Sequence, residues 1–268
     1  MGKSVDRLVE DFAQRVQVRG LPLRPADVKA FGNAALEFGP PSHFFRELVD
    51  SMRFIDQAEF SQTLDTLAKA FRSLVPRSYT FLDHHKKSSN SWIYAQLLKR
   101  GIHPAEKVVN MQDDDLTGDF FKPAKPGSTI VYADDFSFSG SQISEALNSY
   151  LLEQYTTFIF TGYTLPEAQK EIAKYNPRVF RFSPFTLESL PETLSLDSLE
   201  VISKMEDMVD PGRGERASIY GGDSLNWSYF KVSDTIPACL RGVVSTTMGS
   251  RGFPPLIRKL DFPEPYRK

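Results

Sequence analysis

Residues 125–147 read KPGSTIVYADDFSFSGSQISEAL, and this stretch decides the architecture. Lys125-Pro126-Gly127 has turn chemistry, because proline presets φ and glycine tolerates positive φ. The run 129–133 (TIVYA) has strand composition. It ends at two acids, Asp134 and Asp135, followed by a loop of small residues: Ser137, Ser139, Gly140 and Ser141. The period then changes. Ile143, Ala146, Leu147, Tyr150 and Leu151 share one face of a helix expected over 142–154. A strand, a small-residue loop and a helix start together make an anion cradle. Gly140 admits close approach of the backbone. First-turn N–H groups, the helix dipole and serine hydroxyls all favour a phosphate. The dipole alone contributes only about 0.3–1 kcal/mol, so several donors must converge.

Working outward, short β-prone runs alternate with helical ones from residue 77. Strands are expected at 78–82, 107–111, 129–133, 156–162, 178–182 and 229–232, and helices near 91–100, 142–154 and 165–175. Such alternation implies crossover connections and a mostly parallel sheet flanked by helices, an α/β fold. Ligands bind beyond the carboxyl ends of the strands in such sheets. A further helix is expected over 198–208, with Asp197 and Glu200 as a capping box and Leu196 stapled to Val201.

Residues 1–76 read as helices ahead of that domain, which is expected to span 77–268. Val5, Leu8, Val9, Phe12 and Val16 form one apolar stripe, with Ser4 as the N-cap. Pro25 opens a second helix carrying Val28, Phe31 and Phe38. A third carries Phe45, Leu48, Val49 and Met52. A fourth carries Phe60, Leu64, Leu67, Ala68 and Phe71 and is closed by Pro76. The loop 211–222 is rich in Gly and Arg, and the tail 252–268 holds four prolines.

Composition narrows the function classes. The chain has 268 residues, 41% of them hydrophobic, enough for a sizeable core. Lys plus Arg is 32 and Asp plus Glu is 34, a net charge of -2, which excludes a strongly basic surface. No apolar run approaches about 20 residues, and the charged, amphipathic start does not resemble a signal peptide or a myristoylation sequence. A single cysteine, Cys239, excludes an internal disulfide framework; it follows a short apolar stretch and is expected to be buried and inert. A cytoplasmic protein with no membrane association is the simplest reading.

Two carboxylates beside a phosphate cradle repel the anion unless the ligand also brings hydroxyls or a divalent cation. A ribose 5-phosphate offers that arrangement. At this point the stretch resembles the phosphoribosyl-pyrophosphate-binding motif of type I phosphoribosyltransferases: a KPG-type turn, an apolar strand, paired acids, a hydroxyl- and glycine-rich loop, then a helix. Ser141 stands where a second glycine is common and Gln142 where threonine is common. The resemblance covers about residues 77–185. It implies that Asp134 and Asp135 contact the ribose hydroxyls, serve catalysis and help hold magnesium. It implies that Ser137, Ser139, Gly140, Ser141 and Gln142 hold the 5-phosphate. The family's pyrophosphate loop follows its first core strand, and the matching positions here are Lys86, Lys87, Ser88, Ser89 and Asn90. A solvated charged loop with Ser89 or Asn90 as a plain N-cap accounts for the same residues.

Residues 226–242 (NWSYFKVSDTIPACLRG) are similar to the end of a divergent phosphoribosyltransferase-like family of bacterial conflict and antiphage loci, including retron-associated ones. That resemblance implies Trp227 and Tyr229, with Phe230, stacking on a base and Asp234 bonding its edge; packing of a hood onto the sheet explains the aromatics as well. The implied activity is transfer at the ribose anomeric carbon, with phosphoribosyl pyrophosphate or a nucleotide as ligand. The alternatives are a non-catalytic nucleotide sensor and an interaction module in a defence complex with a reverse transcriptase or DNA-binding partner. The helical first 76 residues suit dimerisation, partner binding or simply a share in the core; a homo- or hetero-oligomer is expected.

Other motifs are set aside. Tyr132-Ala133-Asp134-Asp135 matches the YxDD signature of reverse transcriptases, but a palm needs a hairpin around the acids and a distant third aspartate. Asp113, Asp114, Asp115 and Asp119 lie too close, and read as a solvated loop or lid. No Walker-type loop, GxSxG elbow or HExxH helix is present.

Overall fold

A computed structural model describes residues 5–19, 25–51, 53–55, 57–83, 89–110, 127–137, 140, 143–144, 155–174, 178–187, 193–209 and 230–232. The elements run α1 (Val5–Val18), α2 (Pro25–Leu36), α3 (Phe44–Ser51), β1 (Arg53–Ile55), α4 (Gln57–Leu74), β2 (Thr80–Asp83), α5 (Ser89–Lys99), β3 (Lys107–Asn110), β4 (Thr129–Ser137), β5 (Thr156–Thr164), α6 (Pro166–Ala173), β6 (Val179–Phe182), β7 (Phe185–Thr186), α7 (Leu196–Val209) and β8 (Phe230–Val232). Of the helix expected over 142–154, Ile143 and Ser144 are described and helical. Ser4, the acid run at 113–119, the loop 211–222, Cys239 and the tail 252–268 lie outside the described residues. Among the described residues no helix is long and apolar enough to cross a membrane.

The chain divides into two compact units, 58–187 and 1–57 with 188–268. The boundary expected at 76/77 differs from this division. The physical reason is α4, whose stripe of Phe60, Leu64, Leu67 and Phe71 is buried and whose Phe71 ring stacks on Phe160 of β5 at 5.1 Å.

The 58–187 unit is built on a sheet of order β3-β2-β4-β5-β6, with β7 paired to β5. Every pairing in it is parallel. β6 lies along Thr157–Phe160 of β5, and β7 continues beyond it along Tyr163–Thr164. β5 is buried from Thr157 to Thr164, as expected for a strand covered on both faces. One face packs against α4 and α5, through Phe71 on Phe160 and Phe81 on Tyr94 at 4.0 Å. The other packs Leu82, Val109, Ile130, Tyr132 and Ile159 against Ile143 and Ile172. Arg100 ties the end of α5 to α4 through Asp65 at 2.8 Å and Ser61 at 3.0 Å.

β4 departs from expectation. It does not stop at Ala133 but runs through both acids to Ser137, in register with β5 from Thr129↔Thr156 to Ser137↔Thr164. Aspartate has low strand propensity, which argues for a stop at residue 133; the ladder to β5 overrides it.

In the 1–57/188–268 unit, α1, α2, α3 and α7 share a core of Phe12, Val16, Phe31, Phe44, Val49, Val201 and Ile202. β1, which the sequence does not signal, pairs in parallel with β8. The start of α7 also differs from expectation. Leu196 is 83% exposed and staples nothing, and Glu200 pairs with Lys204 at 2.7 Å instead of reaching back to the cap. Ser195 is the cap: its Oγ accepts the Ser198 N–H at 3.4 Å. Glu47 of α3 completes it, one carboxylate oxygen accepting from Ser195 N–H at 3.0 Å, Ser195 Oγ at 2.9 Å and Ser198 Oγ at 2.7 Å. A carboxylate supplied by another helix does the work of the capping box, and stands at the positive end of the α7 dipole.

Candidate functional site

The strand order places the site. The chain goes from β2 to β3 on one side of β2, and returns to lay β4 on its other side. The direction of winding therefore reverses between β2 and β4, and the carboxyl ends of these strands flank the crevice where ligands bind in such sheets. Among the described residues β2 and β4 pair only at Thr80↔Ile130 and Phe81↔Val131. Beyond that point β2 stays with β3 as far as Asp83↔Asn110, and β4 stays with β5.

Continuing the β2–β4 register would set Asp83 against Ala133. The first turn of α5 stands there instead. Asn90, 1% exposed, donates its side-chain N–H to the Ala133 carbonyl at 2.5 Å. Ser91 Oγ lies 2.6 and 2.7 Å from the two Asp83 carboxylate oxygens and donates to them. The acid pair follows Ala133 directly. Asp134 is 4% and Asp135 1% exposed. Asp134 accepts from the Tyr132 phenol at 3.0 Å through one oxygen and from the Asp135 backbone N–H at 2.9 Å through the other. Burial pushes the Tyr132 phenol well above its ordinary pKa, and the Asp134 carboxylate adds to this, so the phenol remains a donor.

After β4 the chain passes Gly140 at φ +72. A Cβ there would sit 3.2 Å from the Ala168 carbonyl oxygen and 3.3 Å from Glu171 Cβ. The close approach that the sequence suggests for a ligand is thus made to α6. Ser137, 5% exposed, accepts the Leu165 N–H on its carbonyl at 3.0 Å. The helix begins as Ser144 N–H donates to the Gly140 carbonyl at 2.8 Å. Ser144 was not singled out in the sequence. Its hydroxyl oxygen is buried and among the described residues has no hydrogen-bond partner, a donor at the helix start with unused capacity. Its spacing of three from Ser141 was the available signal.

Of the residues implied as site residues, Asp134, Asp135, Ser137, Gly140 and Asn90 are brought to the carboxyl end of the sheet around β4. Ser89 opens α5. Lys86, Lys87, Ser88, Ser139, Ser141, Gln142, Trp227, Tyr229 and Asp234 lie outside the described residues. Asp83, which sequence reasoning passed over, and Tyr132, which it met only in the YxDD match, hold the neighbouring groups in place.

Magnesium prefers hard oxygen ligands and is commonly held by one or two carboxylates plus substrate phosphates and water. Among the described residues no group of three or more His, Cys, Asp or Glu is disposed to hold a metal alone. Asp134 and Asp135 are consecutive residues of β4 and so point to opposite faces of the sheet; one carboxylate, not the pair, fits an ion whose remaining ligands come from a diphosphate.

No protein-family model matches the chain, and no curated protein matches it. Solved structures of similar shape include a hypothetical protein from Neisseria gonorrhoeae with bound ppGpp, at 14% identity and TM-score 0.37, covering 51% of this chain and 85% of that one. A hypoxanthine-guanine-xanthine phosphoribosyltransferase aligns at 15% identity and TM-score 0.36, over 49% of this chain and 76% of the other. An orotate phosphoribosyltransferase from Aeropyrum pernix aligns at 19% identity and TM-score 0.34, over 56% and 77%.

Proposed function

We propose that the 58–187 unit binds phosphoribosyl pyrophosphate or a nucleotide at the carboxyl ends of β2 and β4 and transfers at the ribose anomeric carbon. The observation that carries this reading is the position of the Asp134–Asp135 pair: at the switch point of a parallel sheet, followed within ten residues by the Gly140 turn and a helix start with a buried, unused hydroxyl at Ser144. Asp134 and Asp135 accept from the ribose diol and favour the positive charge that grows on the anomeric carbon as its substituent leaves. Ser137, Ser139, Gly140, Ser141 and Gln142 surround the 5-phosphate, with Ser144 as a further donor. Lys86 and Lys87 balance the charge of the diphosphate, and Ser88 and Ser89 donate hydrogen bonds to it. Asp134 or Asp135, together with that diphosphate, would hold magnesium, which when bound supplies neutralisation of the leaving group's charge. The resemblance of residues 226–242 supports a setting in bacterial defence, with a protein partner.

A second reading is a nucleotide sensor that binds the same ligands without turnover. Titration calorimetry with phosphoribosyl pyrophosphate and magnesium, alongside nucleoside monophosphates, tests the site. The wild type is expected to bind, and Asp134→Asn with Asp135→Asn to lose at least tenfold in affinity while keeping its unfolding midpoint within a few degrees. Unchanged affinity in the double variant removes the acid pair from the site. Magnesium-dependent release of pyrophosphate separates the enzyme from the sensor.

A further inference from the structure

We infer that Asn90 is a positioning residue for this site: it holds the start of α5 against β4 and sets the separation between the carboxyl ends of β2 and β4. This rests on the reading of the site given above and adds to it a residue that acts through backbone geometry. Two side chains of one helical turn reach two different strands. Ser91 bonds the Asp83 carboxylate at the end of β2, and Asn90 bonds the Ala133 carbonyl of β4, across 43 residues of sequence. An asparagine at a helix start uses its side-chain oxygen to cap its own helix, and its amide nitrogen is a separate donor. Here the amide nitrogen is spent on a neighbouring strand, in the place where the strand ladder of β2 and β4 has ended. Asparagine is mostly exposed in proteins, so its near-complete burial at this point marks a defined structural task.

The consequence concerns ligands that touch both strand ends at once. Their two attachment points are held at a separation set by the Asn90–Ala133 and Ser91–Asp83 bonds. A ligand reaching only one strand end is indifferent to that separation. The difference is measurable as the gain of phosphoribosyl pyrophosphate over its parts, in the manner of linked binding elements.

The test compares wild type and Asn90→Ala for phosphoribosyl pyrophosphate by calorimetry, and for ribose 5-phosphate and inorganic pyrophosphate by ligand-observed NMR, all with magnesium. The expected result is a loss of at least tenfold for the whole ligand, with each fragment changing less than twofold. A folding defect would weaken all three together, and a residue without a positioning role would weaken none; either result overturns the inference. If Asn90→Ala does not fold, Asn90→Ser, which keeps a polar group in the buried position but is too short for Ala133, takes its place under the same criteria. Failure of the wild type to bind any of the three ligands is a different outcome: it overturns the site reading, and this inference falls with it.

Discussion

A Cβ on Gly162 would stand 2.7 Å from the backbone oxygen of Asp135, closer than folded proteins allow. The two residues face one another across the β4–β5 ladder, between the pairs Asp134↔Thr161 and Phe136↔Tyr163. Gly162 is therefore what lets β5 follow β4 past the acid pair. Gly162→Ala forces one backbone or the other to move, at about 1–3 kcal/mol for an overpacked core site. Denaturant unfolding is expected to show that loss, and the ligand affinity of the folded fraction is expected to fall as well, because the strand displaced carries Asp135.

Gly140 meets a similar demand for a different reason. Its φ of +72 is unfavourable for a residue with a side chain, and the Ala168 carbonyl leaves only 3.2 Å for a Cβ. Gly140→Ala is expected to lose about 1–3 kcal/mol, read as a lower denaturation midpoint with an unchanged slope.

Tyr132→Phe removes the phenol that donates to Asp134 and leaves the ring's packing intact. A hydrogen bond to a charged group contributes about 1.5–3 kcal/mol, so a loss of that order is expected at neutral pH. Burial, with Asp134 beside it, holds the folded-state pKa of the phenol above its ordinary 10.0. The contribution is complete below about pH 10 and is lost as the pH rises above that value, because only the unfolded chain ionises readily there. Burial also raises Tyr79. Wild-type stability should decline above pH 10, and Tyr132→Phe should decline less steeply, by up to about 1.4 kcal/mol per pH unit.

Glu47 behaves with the opposite sign. Burial alone would raise its pKa, but the hydrogen bonds from Ser198 and Ser195 and the nearby imidazole of His43 together outweigh burial and hold it below the ordinary 4.5. Its stabilisation is present above about pH 4.5 and lost as the pH falls through the lower folded-state value. Glu47→Gln is expected to reduce stability by about 1–2 kcal/mol at pH 7, with the gap to wild type narrowing in acid. A constant gap from pH 7 to pH 3 in thermal unfolding would show that the charge has no part in capping α7.

Much of this was legible along the chain because it is local. The stripes of Phe60, Leu64, Leu67 and Phe71, or of Val9, Phe12 and Val16, repeat within a few residues and mark helices whatever they pack against. The apolar runs that became β2, β3, β4, β5 and β6 were visible for the same reason. What stayed hidden depends on distant partners. β1 and β7, at three and two residues, are too short to show a period. The extension of β4 through its acids rests on β5, and the cap of α7 on Glu47, 148 residues away.

The sequence by itself determined an α/β unit with parallel strands and a strand that leads through Asp134 and Asp135 into a small-residue loop, since composition and period are properties of neighbours. Only the tertiary structure decided that β2 lies beside β4, that their ladder ends at Phe81 and Val131, and that Asn90 fills the place beyond. Strand order is a choice among non-local pairings, made by which faces bury together, and no single stretch of chain encodes it.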